Sequence, residues 1–139
     1  MTVNNQFSIA VHLMAGLACV CKGETTSGDL ANSVNACPSF VRRTMSKLAK
    51  AELVTTTRGK SGCCTLAKEP SKITLLDIYQ AVDAPKVFSI HGYEEHRSCV
   101  VSHQIKPVLE QVLERSQRAM EQTLGKVTLA EVVRSIREG

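Results

Sequence analysis

The sequence predicts a mainly α-helical fold with a small β-hairpin wing and a long helix in its second half. Three patterns support this prediction. Apolar residues recur at helical spacing within the first 52 residues, a β-branched run and its return flank a Gly-rich turn, and an amphipathic stretch extends over residues 101–124. With 139 residues, 43% of them hydrophobic, the chain is long enough for one domain with a buried core.

Three helices are predicted before the wing. The first covers residues 6–21, and Lys22 and Gly23 end it. Thr26 can cap a short second helix, because Asp29 follows three residues later near the positive end of the helix dipole. Pro38 suits the first turn of a third helix, which extends to about residue 52. The tight turn between the second and third helices is typical of a helix-turn-helix.

A hairpin follows directly. Residues 53–58 are rich in β-branched side chains, residues 59–62 have turn chemistry, and residues 63–67 can form the return strand. A hairpin with a basic tip after the third helix is a wing. We therefore predict a winged helix-turn-helix domain over residues 1–83.

The second half is predicted to be helical around one loop. Thr74 and Asp77 repeat the cap pattern and begin a helix through Val82, whereas residues 84–97 have no clear period and are expected to form a mobile loop. The amphipathic stretch over residues 101–124 predicts a long helix. A helix of some 20 residues is about 30 Å long, which is more than a small domain needs for its own core. The apolar edge of this helix that the core does not cover predicts a homodimer.

The predicted division therefore has three parts. Residues 1–83 bind DNA, residues 84–98 form a sensor loop, and residues 99–139 form the dimerisation helix and a C-terminal helix. Thr128 and Glu131 match a capping box that begins this last helix. The fold class is thus a winged helix-turn-helix plus a long dimerisation helix.

The charge distribution favours an anionic partner for the first half. The chain has a net charge of +4, and residues 1–60 hold seven basic and three acidic side chains. Residues 61–139 hold ten of each, so the excess lies entirely in the first 60 residues. Such asymmetry indicates nucleic acid, although a solvated basic face explains the charge alone equally well.

Three features supply candidate contacts to double-stranded DNA. The third helix presents side chains suited to the major groove and to phosphates, the wing tip suits the minor groove, and the start of the second helix can bind a phosphate through backbone N–H groups. The candidates are, in that order, Ser39, Arg42, Arg43 and Lys47; Arg58, Lys60 and Ser61; and Thr26 and Ser27.

Other classes of protein lack support in the sequence. No apolar run reaches the roughly 18 residues of a membrane helix, and no signal peptide is recognisable, so we expect a cytoplasmic protein. The phosphate-binding, hydrolase and zinc-protease motifs are missing, which predicts that the chain is not an enzyme. A module that binds only a protein partner stays an alternative.

Two of the six cysteines are candidates for redox sensing. Cys37 precedes the first turn of the third helix, where the helix N-terminus, Arg42 and Arg43 favour a thiolate. Cys99 lies at the head of the long helix. The alternative is that Cys37 is a buried, inert cap residue and that Cys99 is a remnant of an ancestral ligand set. No pair has zinc-type spacing, so a structural zinc site is not expected. His91, His96 and His103 could form a metal or pH-sensitive site, or be solvated loop residues.

Several segments together resemble the Rrf2 family of bacterial winged-helix transcription regulators. They are DLA at 29–31, FVRR at 40–43 with Leu48, KAELV at 50–54, RGxxG at 58–62, LAK at 66–68, ITLLDIYxAV at 73–82 and TLAEV at 128–132. The resemblance implies a homodimer that binds a palindrome-like promoter site. It places base contacts on Ser39, Arg42 and Arg43 and a minor-groove contact on Arg58.

The sequence departs from the family pattern at two places. Cys63 replaces the last Gly of the wing motif, and only Cys99 stands where cluster-binding members have three closely spaced cysteines. An iron–sulfur cluster normally has four protein ligands, so we predict no cofactor. The chain is similar to members without a cluster, some of which sense oxidants through thiols. We predict a repressor switched at Cys37 or Cys99. The alternatives are a regulator that binds iron–sulfur or metal through Cys99 and nearby His, or one controlled by a protein partner.

Overall fold

The computed structural model describes residues 5–19, 26–57 and 64–139, and it is mainly helical with one two-stranded sheet, which confirms the predicted fold class. The elements are α1 (Gln6–Cys19), α2 (Ser27–Val34), α3 (Pro38–Lys50), β1 (Val54–Thr56), β2 (Cys64–Leu66), a 3₁₀ turn (Pro70–Lys72), α4 (Leu75–Ala81), α5 (Val100–Lys126) and α6 (Leu129–Glu138). They form two compact units. Unit 1 comprises Met1–Ala84 and Leu124–Gly139, and unit 2 comprises Pro85–Thr123.

The helix-turn-helix of unit 1 turns at Asn35. This residue adopts the left-handed conformation, with φ of 53° and ψ of 47°, which Asn tolerates better than most residues. The N–H of Ala36 donates to the carbonyl of Ala31 at 3.1 Å and satisfies the end of α2. Two residues later Pro38 occupies the first turn of α3, where its missing N–H costs nothing.

The wing strands pair antiparallel, with Val54 opposite Leu66 and Thr56 opposite Cys64. Val54 and Cys64 are buried, while Thr55 and Thr65 are exposed, so one face of the hairpin packs on the core. This is the alternation that a half-buried antiparallel pair requires.

The core of unit 1 lies between the helices and the buried face of the hairpin. Helices α1, α3, α4 and α6 each contribute side chains with no more than 7% exposure. These are, in chain order, Ala10, Leu13, Met14, Leu17, Val41, Met45, Leu48, Ile78, Leu129 and Val133. Phe7 and Tyr79 pack edge to face at 5.7 Å between ring centroids and extend the contact between α1 and α4.

Helix α6 belongs to unit 1. The N–H of Leu75 donates to the carbonyl of Val127 at 2.9 Å, and the N–H of Leu129 donates to the carbonyl of Ile73 at 2.8 Å. Leu129 is fully buried, and α6 packs against α1 and the 3₁₀ turn. The sequence-based division grouped this helix with the long helix. The structure groups it with the first 84 residues.

Unit 2 consists of a loop and most of α5. The loop has neither helix nor strand, as the missing period predicts, but several hydrogen bonds hold it. The Tyr93 hydroxyl donates to the carbonyl of Ser102 at 2.7 Å, and the N–H of His96 donates to Ser102 Oγ at 3.0 Å. The Val87 N–H donates to Gln117 Oε1 at 3.2 Å. In the described ranges, no helix is both long and apolar enough to cross a bilayer.

Candidate nucleic-acid interface

Helix α3 has one buried face and one exposed polar face. Val41, Thr44, Met45 and Leu48 are buried, and Thr44 satisfies its hydroxyl by donating to the carbonyl of Phe40 at 3.0 Å. The opposite face exposes Ser39, Arg42, Arg43, Ser46 and Lys50. The predicted base-contacting residues thus share the solvent-exposed face of the first two turns, where a recognition helix enters the major groove.

Arg43 is held by its neighbour on the helix. Its guanidinium carbon lies 5.8 Å from the centroid of the half-buried Phe40 ring, which is within the range of a cation–π contact. This contact leaves the N–H donors at the edge of the guanidinium plane for a partner. It also lowers the side-chain entropy that Arg43 would lose on binding. This pairing was not predicted from the sequence, although a spacing of three residues places two helical side chains next to each other.

Cys37 is exposed and contacts Ser39. The two atoms Cys37 Sγ and Ser39 Oγ lie 3.0 Å apart. The side-chain hydrogen bond with Ser39, then the backbone N–H groups of Ser39 and Phe40, and finally the charge of Arg42 lower the pKa of the Cys37 thiol. Cys37 is therefore not buried, which contradicts the burial expected in the alternative, and its reactivity stays a prediction. The expected thiolate-favouring environment is present, but hydrogen bonds contribute more to it than the arginine does.

Lys47 is only half exposed, and its ammonium is already engaged. Nζ donates to the carbonyl of Val82 at 3.5 Å, and Gln6 Nε2 donates to the same oxygen at 2.9 Å. The two donors cap the end of α4 from α3 and α1 respectively. The ammonium keeps two further protons, so it can also bind a phosphate at the edge of α3.

Thr26 caps α2 and is engaged by Asp29. The Thr26 N–H and hydroxyl both donate to Asp29 Oδ2, at 3.1 and 3.0 Å, and the Asp29 N–H donates back to Thr26 Oγ1 at 3.2 Å. These bonds lower the pKa of Asp29, chiefly through the backbone N–H of Thr26. Both hydrogen-bond donors of Thr26 are therefore used by the Asp29 carboxylate, and a DNA phosphate at this helix start would have to bind neighbouring backbone N–H groups. The side chain of Ser27 lies outside the described residues.

The predicted wing-tip contacts are not described by the structure. Arg58, Lys60 and Ser61 lie outside the described residues, as does Cys63. The strands that flank them are in place, so the predicted hairpin exists on both sides of the tip.

Cys99 is exposed in unit 2 and precedes α5 directly. Its sulfur accepts a hydrogen bond from the N–H of Ser102 at 3.4 Å, in the first turn of α5. His103 Nδ1 lies 3.3 Å from Glu95 Oε2. Across the described part of the chain, no three His, Cys, Asp or Glu side chains come together in a way that could hold a metal ion.

The chain matches a family model and several known proteins. The family is described as Rrf2, iron-dependent transcriptional regulator, and it matches residues 3–135. The helix-turn-helix-type transcriptional regulator YwnA of Bacillus subtilis (strain 168) is 35% identical over 133 residues, which are 94% of this chain and 96% of that protein.

Solved structures show the same fold. A transcriptional regulator from Lactobacillus plantarum aligns with a TM-score of 0.82 and 24% identity, covering 96% of this chain and 90% of that one. CymR, the global cysteine regulator of B. subtilis, aligns with a TM-score of 0.70 and 22% identity, covering 97% of this chain and 98% of that one.

The iron in the family description has no matching ligand set here. Cys99 is the only cysteine in the segment between α4 and α5, and its sulfur accepts a backbone hydrogen bond. With no suitable group of ligands among residues 5–19, 26–57 and 64–139, the side chains present do not fit an iron centre.

Proposed function

Because the chain belongs to the Rrf2 family of transcriptional regulators, we propose that it is a homodimeric repressor that binds a specific promoter sequence. The matched family and its relatives are regulators of transcription and not enzymes, which confirms the prediction that this chain is not an enzyme. Its partner is double-stranded DNA. Residues 1–83 contact that DNA in this proposal, and the signal is received at a cysteine, either Cys37 in that domain or Cys99 at the end of the 84–98 loop.

The observation that carries the DNA-binding proposal is the pair Arg42 and Arg43. Both are exposed on the first two turns of a helix whose opposite face is buried in the core, so the fold fixes the direction in which they project. In the described residues, neither guanidinium takes part in an ion pair. Arg is the side chain best suited to bind guanine through two hydrogen bonds in the major groove.

The test is a fluorescence anisotropy titration with the DNA upstream of the protein's own gene. Arg42→Ala and Arg43→Ala should each cost about 1–3 kcal/mol and relax specificity at one base position. Lys50→Ala is the matched control, because Lys50 is an exposed cation at the far end of the same helix. Its effect should be small.

A salt titration separates phosphate contacts from base contacts. Lys47→Ala should weaken binding evenly across sequences and lower the salt slope by about one. A urea titration of the same variant measures what the lost bond to Val82 costs in stability. If both arginine variants bind every DNA like the wild type, α3 is not the recognition helix.

Exposed valines on α5 support the homodimer. Val101, Val108 and Val112 are 66%, 55% and 48% exposed, and their spacing of seven and four residues puts them along one side of the helix. A contiguous apolar stripe of this kind is typical of a surface that a partner covers. A second copy of the chain supplies the same stripe in a two-fold arrangement.

The signal in this proposal is oxidation of a cysteine thiol. Cys37 supports it because its sulfur contacts Ser39, a proposed base-contacting residue, across 3.0 Å. A peroxide oxidises a thiolate to sulfenic acid, which adds an oxygen atom at this contact. Such a change displaces Ser39 and weakens DNA binding. Cys99 is the second candidate, and substitution of each cysteine by Ser assigns the response.

A further inference from the structure

A cleft in unit 1 lies outside the DNA-contacting face of α3. It encloses about 790 Å³ between β2, the 3₁₀ turn, α1 and α6. This volume is within the range of sites that hold small organic ligands, roughly 300–1,000 Å³. The proposed DNA contacts on α3 do not line it.

The floor of the cleft is apolar and belongs to the core. Leu17, Cys64 and Val133 line it, and each is 7% exposed. Leu66 and Ala130, both half-buried, widen this surface. Because Leu17 and Val133 are buried in the core, the part of the floor that α1 and α6 supply is preformed.

The rim of the cleft is cationic on one side. Arg134 and Arg137 are exposed, lie one turn apart on the same face of α6, and line the cleft together with Lys68. Among the residues that the structure describes, neither arginine forms an ion pair. Glu69 and Glu138 also lie at the rim, so the positive charges exceed the negative ones by one. An apolar floor beside two unpaired guanidinium groups is complementary to an amphipathic anion.

We propose that this cleft binds a small amphipathic organic anion. Its apolar body lies on Leu17, Leu66 and Val133, and its carboxylate or sulfonate accepts hydrogen bonds from Arg134 and Arg137. The site does not require that the protein bind DNA.

The ligand also contacts the wing strand β2, through Cys64 and Leu66. A ligand that binds one arrangement of the hairpin more tightly shifts the population of hairpin arrangements. It therefore changes the affinity for DNA. This second step rests on the proposed function, whereas ligand binding itself does not.

The test uses octanoate as the probe and the full-length protein without DNA. In ¹H–¹⁵N NMR spectra, octanoate should shift amide signals of residues 64–71 and 129–138. The double variant Arg134→Gln/Arg137→Gln should raise the Kd for octanoate about ten-fold, which is the loss expected for charge-assisted hydrogen bonds. Lys126→Gln, an exposed cation that does not line the cleft, should leave the Kd unchanged.

Two further measurements isolate the charge and the cavity. The neutral 1-octanol should bind to the wild type more weakly than octanoate does. The Kd for 1-octanol should be the same in the wild type and in the double variant. Ala130→Phe should fill the cleft and weaken both probes, and a circular dichroism spectrum checks that this variant is folded. Equal binding of the two probes to the wild type, shifts confined to other residues, or an unchanged Kd in the double variant would each overturn the proposal.

The regulatory step is measured separately, by repeating the DNA titration with saturating octanoate. A changed DNA affinity in the wild type and not in the double variant supports it. Octanoate binding without a change in DNA affinity overturns the regulatory step and leaves the binding site in place. Failure of the wild type to bind any DNA concerns the proposed function alone.

Discussion

Cys37 combines an exposed thiol with a hydrogen bond to Ser39, a residue on the face of α3 that we propose contacts DNA. The Ser39 hydroxyl stabilises the thiolate, and so do the backbone N–H groups at the start of α3. Since the thiolate is the nucleophile, this residue should react at a lower pH than an ordinary cysteine. Because Ser39 Oγ lies 3.0 Å from this sulfur, a group added to the Cys37 sulfur should displace the Ser39 side chain.

The pH dependence of Cys37 alkylation tests this environment. With iodoacetamide and peptide mass spectrometry, the rate at Cys37 should reach half its maximum at a pH below that of a free thiol. Ser39→Ala removes the largest contribution, so the midpoint should rise toward the ordinary pKa.

Ser46→Ala is the control, since Ser46 is an exposed serine on the same helix beyond the reach of the Cys37 contact. A midpoint that is the same in Ser39→Ala and the wild type would show that Ser39 does not stabilise the thiolate.

Single-residue predictions succeeded where the cause was local. The exposure of Ser39, Arg42 and Arg43 follows from the helical period alone. The bond from Lys47 to Val82 joins residues 35 positions apart, and no local pattern records such a distance in the chain. The hydrogen bonds between Thr26 and Asp29 follow from the predicted cap. The sequence-based prediction nevertheless assigned a phosphate contact to Thr26, whose donors these bonds already use.

At the scale of elements, three helices begin with the same device. Thr26, Thr74 and Thr128 each cap a helix. In each case the side chain of an acidic residue three positions later accepts a hydrogen bond from the backbone N–H of the capping threonine. Each box satisfies two backbone N–H groups that the helix leaves free. This is why these three starts were predicted to the residue.

The box of α2 should contribute a pH-dependent stability. The folded pKa of Asp29 is lowered from 3.8, so its contribution is present above the unfolded pKa and is lost as the pH falls through the folded pKa. Asp29→Asn should therefore lower the thermal midpoint at neutral pH, and the difference from the wild type should close in acid.

Asp83→Asn provides the isosteric control, because Asp83 is exposed and lies outside the helix N-termini. It should show little difference from the wild type at either pH. A gap between Asp29→Asn and the wild type that does not narrow at all as the pH falls below 3.8, with both proteins folded, would contradict a charge-based contribution.

Element boundaries were less predictable at helix C-termini and strand ends. The third helix was expected to reach residue 52, but it ends at Lys50, because Glu52 adopts a left-handed φ of 62° and the Leu53 N–H bonds back to the carbonyl of Leu48 at 3.0 Å. Such a turn is usually marked by Gly, and here that signal is missing. The hydrogen bonds from Tyr93 and His96 to Ser102 were not predicted either, because such bonds produce no periodic pattern in the sequence of the loop.

At the scale of the whole molecule, the packing of α6 against α1 could not be predicted from the sequence. Its cap was predicted, but amphipathicity gives the direction of an apolar face and not the partner that it meets. The partner is α1, more than 100 residues earlier, together with the backbone beside Ile73. Helix-turn-helix and wing could be predicted because each is built from neighbours in sequence.

Leu129→Ala tests whether α6 holds unit 1 together. Leu129 is fully buried, so the substitution should cost about 2–5 kcal/mol in the free energy of unfolding by urea. Ser135→Ala, at an exposed position of the same helix, should change it by no more than about 0.5 kcal/mol. Hydrogen exchange should rise in α1 as well as in α6. An unchanged α1 would show that α6 is peripheral.

The proposed dimer is testable in the same protein. Val108→Glu places a charge on the exposed valine stripe of α5 and should convert the dimer to a monomer of 15.1 kDa in sedimentation equilibrium. Gln80→Glu adds the same charge at an exposed position of α4 and should leave the mass unchanged. A Val108→Glu protein that stays dimeric would exclude this stripe from the interface.

The backbone pairing of Ile73 and Leu75 with Leu129 and Val127 has an evolutionary consequence. It joins the chain on either side of Pro85–Thr123, which makes that segment an insertion within a single continuous module. Substitutions within Pro85–Thr123 leave this backbone pairing in place. The segment can therefore diverge in sequence independently of the residues that fold unit 1.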